Sequence, residues 1–400
     1  MKERFTLLEI GTGYTSIPAK IGAATEIVVE ELAKSASKQG LDVFVFDIKD
    51  RNRPENNLNL IEVYVPGFIA HSVEYNLGFI HKLKRFIYSF SLALKLIRFI
   101  KKNQHYILHF HNQFNFFFFY ILSSKSRKLN LELYYTNHTS AWSRPWKEIE
   151  PIVARKYFLE SFSMKKADQV FVLNEMTSEN LISHLGISAY KVKLIPNGVN
   201  TEIYHKEPAD NYDIINLRIK LNLTGRKTLF HAGAVCDRKN QLEIIQYLTP
   251  IFKKDPNVVF LFAGGIREMD YYTAITEYCT SQQIEANVRY LGELPPGKIL
   301  NEYYNLATGF IFFSKSEGFS LALLEALSAG LPVILSKNLG IDFIKEKDSG
   351  ILFFENQDEF QEIFYHEVYP EERQKYHSEK ASQFIQKNYS WEHIAKMYFD

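Results

Sequence analysis

The stretch Ser316-Glu317-Gly318-Phe319-Ser320-Leu321-Ala322-Leu323-Leu324-Glu325-Ala326-Leu327-Ser328-Ala329-Gly330-Leu331-Pro332 holds two carboxylates around one helix start. It follows an apolar run and opens a helix. Ser320 is placed to cap that helix, Gly330 to close it, and Pro332 to forbid its continuation. Backbone amides near Phe319, Ser320 and Leu321 are then expected to point out of the helix start, with the positive end of its dipole behind them. That arrangement suits an anion such as a diphosphate. Glu317 stands in the loop before the helix and Glu325 inside it, so two carboxylates flank one anion site. One would hydrogen-bond ribose hydroxyls and the other would touch a sugar. Both also read as solvated charges of a loop and a helix.

A second stretch, Phe230-His231-Ala232-Gly233-Ala234-Val235-Cys236-Asp237-Arg238-Lys239-Asn240-Gln241, ends a strand in a small-residue loop. Two adjacent cations then open the next helix. Arg238 offers a planar fork for phosphate oxygens and Lys239 a point charge. Seen alone, such a pair is a solvated surface feature. At the carboxyl end of a strand in an open α/β sheet it stands where ligands bind.

The elements needed to position these residues are legible as alternation. Phe5 to Ile10 reads as a buried strand, followed by a loop with Gly11 and Gly13. Ile27, Val28, Leu32 and Ala36 recur at helical spacing up to Gly40, and Val43 to Ile48 reads as a second strand. Further strands are expected at 106–110, 131–136, 169–173 and 191–195. The turn Pro196-Asn197-Gly198-Val199-Asn200 and the polar segment Pro208 to Asp213 mark a boundary. The alternation then restarts, with strands expected at 228–232, 258–262, 288–291, 310–313 and 333–335. Two similar α/β halves with a cleft between them follow from this pattern. Gly11-Thr12-Gly13 lacks the third glycine of a dinucleotide fingerprint, because Ser16 occupies that place.

Composition bounds the rest. A chain of 400 residues with 46% apolar residues suggests two domains with sizeable cores. The formal net charge of +1 gives no argument for a nucleic-acid partner. Two cysteines, Cys236 and Cys279, exclude a disulfide scaffold and fit a reducing, cytoplasmic setting. No signal peptide and no spanning helix is expected. Phe79, Leu83, Phe86, Ile87, Phe90, Leu94 and Ile97 recur at helical spacing among Lys82, Lys84, Arg85, Lys95, Arg98, Lys101 and Lys102, and the aromatic run 114–120 follows. This stripe either packs on the first sheet or docks the chain peripherally on an anionic inner leaflet.

Together these stretches resemble the GT-B glycosyltransferases of retaining family 4, the glycosyl transferases group 1. The resemblance covers almost the whole chain. Its pieces are Pro18-Ala19-Lys20-Ile21-Gly22-Ala23, Ile195-Pro196-Asn197-Gly198-Val199, Gly233-Ala234 through Arg238-Lys239-Asn240, Ala263-Gly264-Gly265 and Tyr290-Leu291-Gly292. The paired Glu317 and Glu325, Gly330-Leu331-Pro332-Val333 and the terminal Tyr389-Ser390-Trp391 complete it. The paired glutamates with Gly318-Phe319 are the specific part.

The resemblance implies an α/β GT-B fold of two Rossmann-like domains. These would be an acceptor-side domain over 1–200, a nucleotide-sugar domain over 201–385, and a terminal helix over 386–400 packing back on the first. It implies a metal-independent, retaining transfer of a sugar from a UDP- or GDP-linked donor to a glycan, lipid-linked or protein acceptor. Gly22 would back onto the donor phosphates, Arg238 and Lys239 clamp them, Glu317 touch the transferred sugar and Glu325 hold the ribose. Gly264, Leu294, Gly318, Phe319, Ser320 and Leu321 complete the nucleotide-sugar contacts. His138 in Tyr135-Thr136-Asn137-His138-Thr139 matches a histidine that faces the sugar, although alone it reads as a satisfied strand-end histidine. His109 and His111 read as structural or acceptor-side. No Asp-x-Asp stands at a strand end, so a bridging metal is not expected. The chain departs from the family at Gly22-Ala23, at Leu306-Ala307-Thr308-Gly309, which lacks an acidic residue, and at His109-Phe110-His111-Asn112, which lacks an acidic neighbour. Rival readings are a nucleotide-sugar 2-epimerase or hydrolase of the same fold, and a binding module without activity.

Overall fold

The computed structural model describes residues 5–19, 23–67, 78–123, 130–337 and 349–399. The chain divides into two compact units, Met1–Asn197 with Ile394–Asp400, and Gly198–His393. The first passage between units therefore falls at 197/198. Asn211 caps the helix beginning at Tyr212, accepting from the amides of Asp213 and Ile214, and Ile214 is buried in the second unit's core. The polar segment read as a boundary thus lies inside the second unit.

The first unit holds β1 (Phe5–Ile10), β2 (Asp42–Ile48), β3 (Leu60–Val63), β4 (His105–Phe110), β5 (Leu131–Thr136), β6 (Gln169–Val172) and β7 (Val192–Leu194). They form one sheet in the order β3-β2-β1-β4-β5-β6-β7, and every pairing is parallel. Helices cover a parallel sheet on both faces, which is why strands such as β1 read as unbroken apolar runs. The helices are α1 (Ala24–Lys38), α2 (Phe79–Phe99), α3 (Gln113–Leu122), α4 (Trp146–Lys156), α5 (Phe158–Lys166) and α6 (Glu175–Glu179). The strand order reverses direction between β1 and β4. Loops leaving adjacent strands part there and open a crevice at the carboxyl ends.

The second unit repeats the plan. Its strands are β8 (Lys227–Ala232), β9 (Val258–Ala263), β10 (Val288–Tyr290), β11 (Gly309–Phe312), β12 (Val333–Ser336) and β13 (Ile351–Phe354), in the order β10-β9-β8-β11-β12-β13, again all parallel. Its helices are α7 (Tyr212–Lys220), α8 (Gln241–Lys254), α9 (Met269–Gln282), α10 (Lys298–Leu306), α11 (Leu321–Ser328), α12 (Gln357–Ile363) and α13 (Glu371–Tyr389). The reversal lies between β8 and β11. The final helix, α14 (Trp391–Phe399), starts in the second unit and delivers Ile394, Ala395 and Tyr398, all buried, to the first.

Two motifs far apart in sequence meet at the passage into the second unit. Val199 pairs with Ser390 in an isolated parallel bridge, its amide donates to Tyr389 O at 2.8 Å, and its carbonyl accepts from Trp391 at 3.3 Å. A Cβ on Gly198 would lie 2.7 Å from the Trp391 ring, so only glycine fits.

The apolar stripe on α2 is divided, with Leu83, Ile87 and Ile97 packed against the core and Phe79, Phe86 and Phe90 exposed. The buried face carries His81, Lys84, Tyr88, Ser89, Leu92, Ala93 and Leu96. Phe79, Ile80, Phe86 and Phe90 are exposed, while Leu83 and Ile87 are partly buried. Lys84 is buried and donates to Tyr14 O at 2.8 Å; burial holds its pKa at about 8, with Glu26 and Asp47 pulling it up. Arg85 bonds the Tyr14 hydroxyl and stacks over the Tyr14 and Phe114 rings. These two cations serve the loop after β1. No helix of the described residues is long and apolar enough to cross a membrane.

Candidate functional site

In the second unit, the loops leaving β8 and β11 meet at the point of reversal. After β8 the chain runs through Gly233 to a short 3-10 turn, Asp237–Lys239, and Asn240 in the left-handed region starts α8. After β11 it runs through Ser314 and Glu317 to α11. Arg238 Nη1 and Lys239 Nζ both reach Glu317 Oε1, at 2.9 and 2.7 Å. Arg238 Nη1 also donates to Ser316 O, and the Ser314 hydroxyl donates to the same Glu317 oxygen. The two loops are joined by Lys315 N to Arg238 O at 2.8 Å. Burial raises the Glu317 carboxyl, but Lys239, Arg238 and the bonds from Lys239 and Ser314 outweigh it and hold it below its ordinary value. The Arg238 side chain is 44% exposed, and only its Nη1 is engaged among the described residues.

Gly264 explains how β9 joins this corner. Its φ is +144°, and a Cβ there would sit 2.1 Å from Gly233 O. The backbones after β8 and β9 are thus in direct contact, joined by Gly233 N to Ala263 O at 2.8 Å and Val235 N to Gly265 O at 2.9 Å. Gly233 itself packs beside His231 Nε2 and the Lys239 side chain.

The α11 helix starts at Leu321 with Ser320 at its cap, but the Ser320 side chain makes no capping bond. The expected cap is therefore absent; Ser320 is buried in an extended conformation. The other end matches expectation. Gly330 has φ +76°, its amide reaches Leu327 O at 3.0 Å and Leu331 N reaches Ala326 O at 2.9 Å, a left-handed glycine close. Glu325 is buried rather than solvated. Its Oε2 accepts from Tyr304 OH at 2.9 Å, and Tyr204, whose hydroxyl accepts from Gly297 N at 2.9 Å, also donates to it. Burial pushes its pKa up to about 7 against these donors. Leu294 lies partly buried against this core, in the loop before Gly297. A cavity of about 620 Å³ opens at the opposite, amino ends of β8, β11 and β12, lined in part by Arg226, Lys227, Tyr304, Thr308 and Pro332.

Gly22 lies outside the described residues. In the first unit, His138 stands just past β5, partly exposed. Its Nε2 is 2.9 Å from His111 Nδ1, and His111 Nε2 is 2.9 Å from Glu9 Oε2. Glu9 Oε1 is 2.9 Å from His109 Nδ1, and His109 Nε2 is 2.7 Å from Thr136 Oγ1. Glu9 stands opposite His109 in the β1–β4 register, at the reversal point of this sheet. The acidic neighbour missing from the His109-Phe110-His111 segment thus arrives from β1. Burial raises the Glu9 carboxyl, but the pull of His109 and bonds from both histidines bring it down to about 2. Among the described residues, Glu9, His109 and His111 are the trio of potential ligand atoms within 4.8 Å of one another. Those atoms are taken up by hydrogen bonds to each other.

The loop bearing His138 is clasped from below by Glu160 of α5. That buried carboxylate accepts from Asn137 Nδ2 at 3.0 Å, Thr139 Oγ1 at 2.7 Å and Trp142 Nε1 at 2.8 Å. Sequence reasoning did not single out Glu9, Glu160, Ser314 or Tyr304. Only Glu9 left a signal, as a lone carboxylate in the apolar run Phe5 to Ile10.

A family model described as Glycosyltransferase Family 4 matches residues 25–203, and one described as Glycosyl transferases group 1 matches 213–391. A phosphatidylinositol N-acetylglucosaminyltransferase chain of Arabidopsis thaliana is 26% identical over 59% of this chain and 49% of its own length. The alpha-galactosylglucosyldiacylglycerol synthase of Streptococcus pneumoniae is 28% identical over 46% of this chain and 47% of its own length. The match spans about half the length of these curated relatives. Among solved structures, the Anabaena protein HepE in complex with UDP and glucose superposes with a TM-score of 0.72 at 17% identity, covering 99% of this chain and 98% of that one. Two all-parallel Rossmann-like sheets, each with its chemistry-bearing loops at the point of strand reversal, and family models covering both halves give one conclusion: the chain has the GT-B fold and belongs to the glycosyl transferases group 1 of glycosyltransferase family 4.

Proposed function

We propose that the chain is a glycosyltransferase that moves a sugar from a nucleoside-diphosphate donor to an acceptor, with retention and without a bridging metal. The observation that carries this is the convergence of Arg238 and Lys239 on Glu317 at the β8–β11 reversal. That corner brings two cations onto one carboxylate and leaves an open Arg238 fork. Negative charge growing on a leaving diphosphate is stabilised by cations already held in place. Gly22, Gly264, Gly318, Phe319, Ser320, Leu321 and Leu294 are assigned to the donor, Glu325 to its ribose, and Glu317 and His138 to the transferred sugar. HepE was solved with UDP and glucose, which favours a donor of this kind. The test is nucleotide release from UDP-glucose, UDP-N-acetylglucosamine and GDP-mannose with and without acceptor. Release that depends on acceptor supports transfer. Release of free sugar and nucleotide at the same rate without acceptor points to an epimerase or hydrolase instead.

For the acceptor, a lipid-linked molecule at an anionic surface is the reading with support. Phe79, Ile80, Phe86 and Phe90 are exposed on α2, and exposed Lys82, Arg98 and Lys101 accompany them. Two relatives carry names that place them on phosphatidylinositol and diacylglycerol glycolipids. Each cation near an anionic leaflet contributes about 1 kcal/mol. Sedimentation with phosphatidylglycerol vesicles at low salt should capture the protein, and Lys82, Arg98 and Lys101 changed together to glutamine should weaken capture about a hundredfold. Indifference of the protein to such vesicles would move the assignment to a soluble acceptor.

A further inference from the structure

The chain of bonds behind His138 fixes which of its nitrogens carries hydrogen. An ionised carboxylate only accepts, so the two nitrogens facing Glu9, His109 Nδ1 and His111 Nε2, are both N–H donors. With its hydrogen on Nε2, a neutral His111 presents a lone pair at Nδ1. That lone pair lies 2.9 Å from His138 Nε2, so the hydrogen between the two rings belongs to His138. Burial and the neighbouring His109 hold His111 at about 4, and burial with His111 and His109 holds His138 well below its ordinary value, so both rings are neutral near pH 7. The other ionisable groups around this chain are Tyr134 and Tyr398, both packed on the His109 ring and kept protonated by burial, and Glu160, which accepts from Asn137 and Thr139 and whose carboxyl burial raises. His138 Nδ1 is then left without hydrogen, and no described residue bonds to it. Glu160 anchors the residues on either side of His138 in the chain, accepting from Asn137 and Thr139.

We infer that Glu9 and His111 are positioning residues that lock His138 in the Nε2–H tautomer, so that its Nδ1 accepts a hydrogen bond from a hydroxyl of the donor sugar. The inference rests on the reading that His138 meets the transferred sugar. A hydroxyl satisfies that atom; a carboxylate or an ether oxygen in its place sets lone pair against lone pair. Buried neutral donors and acceptors discriminate strongly in this way, because the mismatched group stays unpaired.

The test uses the full chain with its histidine rings labelled with nitrogen-15 and UDP bound. Nitrogen shifts identify the tautomer directly, and the His138→Gln variant identifies the His138 signals by their loss. The expected result in the wild type is the Nε2–H pattern for His138 from pH 6 to pH 8. An Nδ1–H pattern, or an imidazolium, overturns the inference, and this reading needs no variant to fold. Glu9→Gln and His111→Asn should each convert that pattern to a mixture and lower kcat about tenfold, with the UDP Kd unchanged. An unchanged tautomer in both variants overturns the positioning role alone. Unimpaired transfer by His138→Gln, with the wild-type tautomer as expected, overturns the sugar contact on which the inference rests.

Discussion

At the scale of single residues, the two glutamates singled out in the sequence live in opposite environments. Glu317 is held ionised by two cations, whereas Glu325 is buried among hydroxyls and pushed up to about 7. A raised carboxyl has a definite consequence for stability. Below its ordinary value of 4.5 the group is neutral in both folded and unfolded chains, and it costs nothing. As pH climbs from 4.5 to about 7 the unfolded chain ionises first, so folding loses up to about 3 kcal/mol, and the loss is constant above. Glu325→Gln should remove that component. Its unfolding free energy relative to wild type should rise across pH 4.5 to 7 in urea titrations without nucleotide, and parallel pH curves for the two proteins would refute the burial of an isolated carboxyl. Arg238 makes a different prediction because it is half exposed and its ion pair contributes little to folding. Arg238→Ala should cut turnover about a hundredfold, some 3 kcal/mol of transition-state stabilisation, while its melting temperature stays within a degree or two. Activity within threefold of wild type would make Arg238 a surface charge.

At the scale of elements, the β8 and β9 loops are coupled through their backbones at Gly233 and Gly264. Gly264→Ala places a methyl group 2.1 Å from Gly233 O at a φ that side chains avoid, so about 3 kcal/mol of stability should be lost. Because the displaced loop carries Arg238 and Lys239, UDP affinity should fall with it. Calorimetry on the folded fraction separates the two, and intact UDP affinity would mean the loop does not share in binding. The same elements show what a sequence yields. The alternation of apolar runs and helical spacing gave most strands to within a residue, since a buried parallel strand is continuously apolar. It missed the four-residue edge strands β3 and β13, although it marked the three-residue edge strands β7 and β10. The Glu317 corner was legible because its residues adjoin one strand end each. The Glu9–His111–His138 chain was not, because its members come from three strands paired across a hundred residues. For the α2 stripe, periodicity alone could not say which of its apolar residues turn inward, and the helix packs Leu83, Ile87 and Ile97 on the core while leaving Phe79, Phe86 and Phe90 exposed.

At the scale of the whole molecule, α14 ties the end of the described chain to its beginning. Trp391 bonds Val199 in the second unit, and Ile394, Ala395 and Tyr398 fill the first. Tyr398 lies against Phe171 at 4.4 Å between ring centroids and against His109 at 5.4 Å. Ending the chain after His393 should therefore cost the first unit roughly 4 kcal/mol of apolar burial and admit water to His109. A melting transition lowered by several degrees, with the second unit's UDP affinity retained, is the expected outcome. An unaltered melting curve would show that α14 is dispensable to that unit.

The return of α14 also sets an order of birth. Every residue of the second unit leaves the ribosome before Tyr398 does, so for the time needed to make some two hundred residues the first unit exists without the ring that covers His109. During that interval the Glu9–His109 pair, built to be dry, is wet, and the histidine relay cannot settle into its final arrangement. The nascent chain thus completes its second unit before its histidine half is closed, and an interrupted translation product would carry the former without the latter.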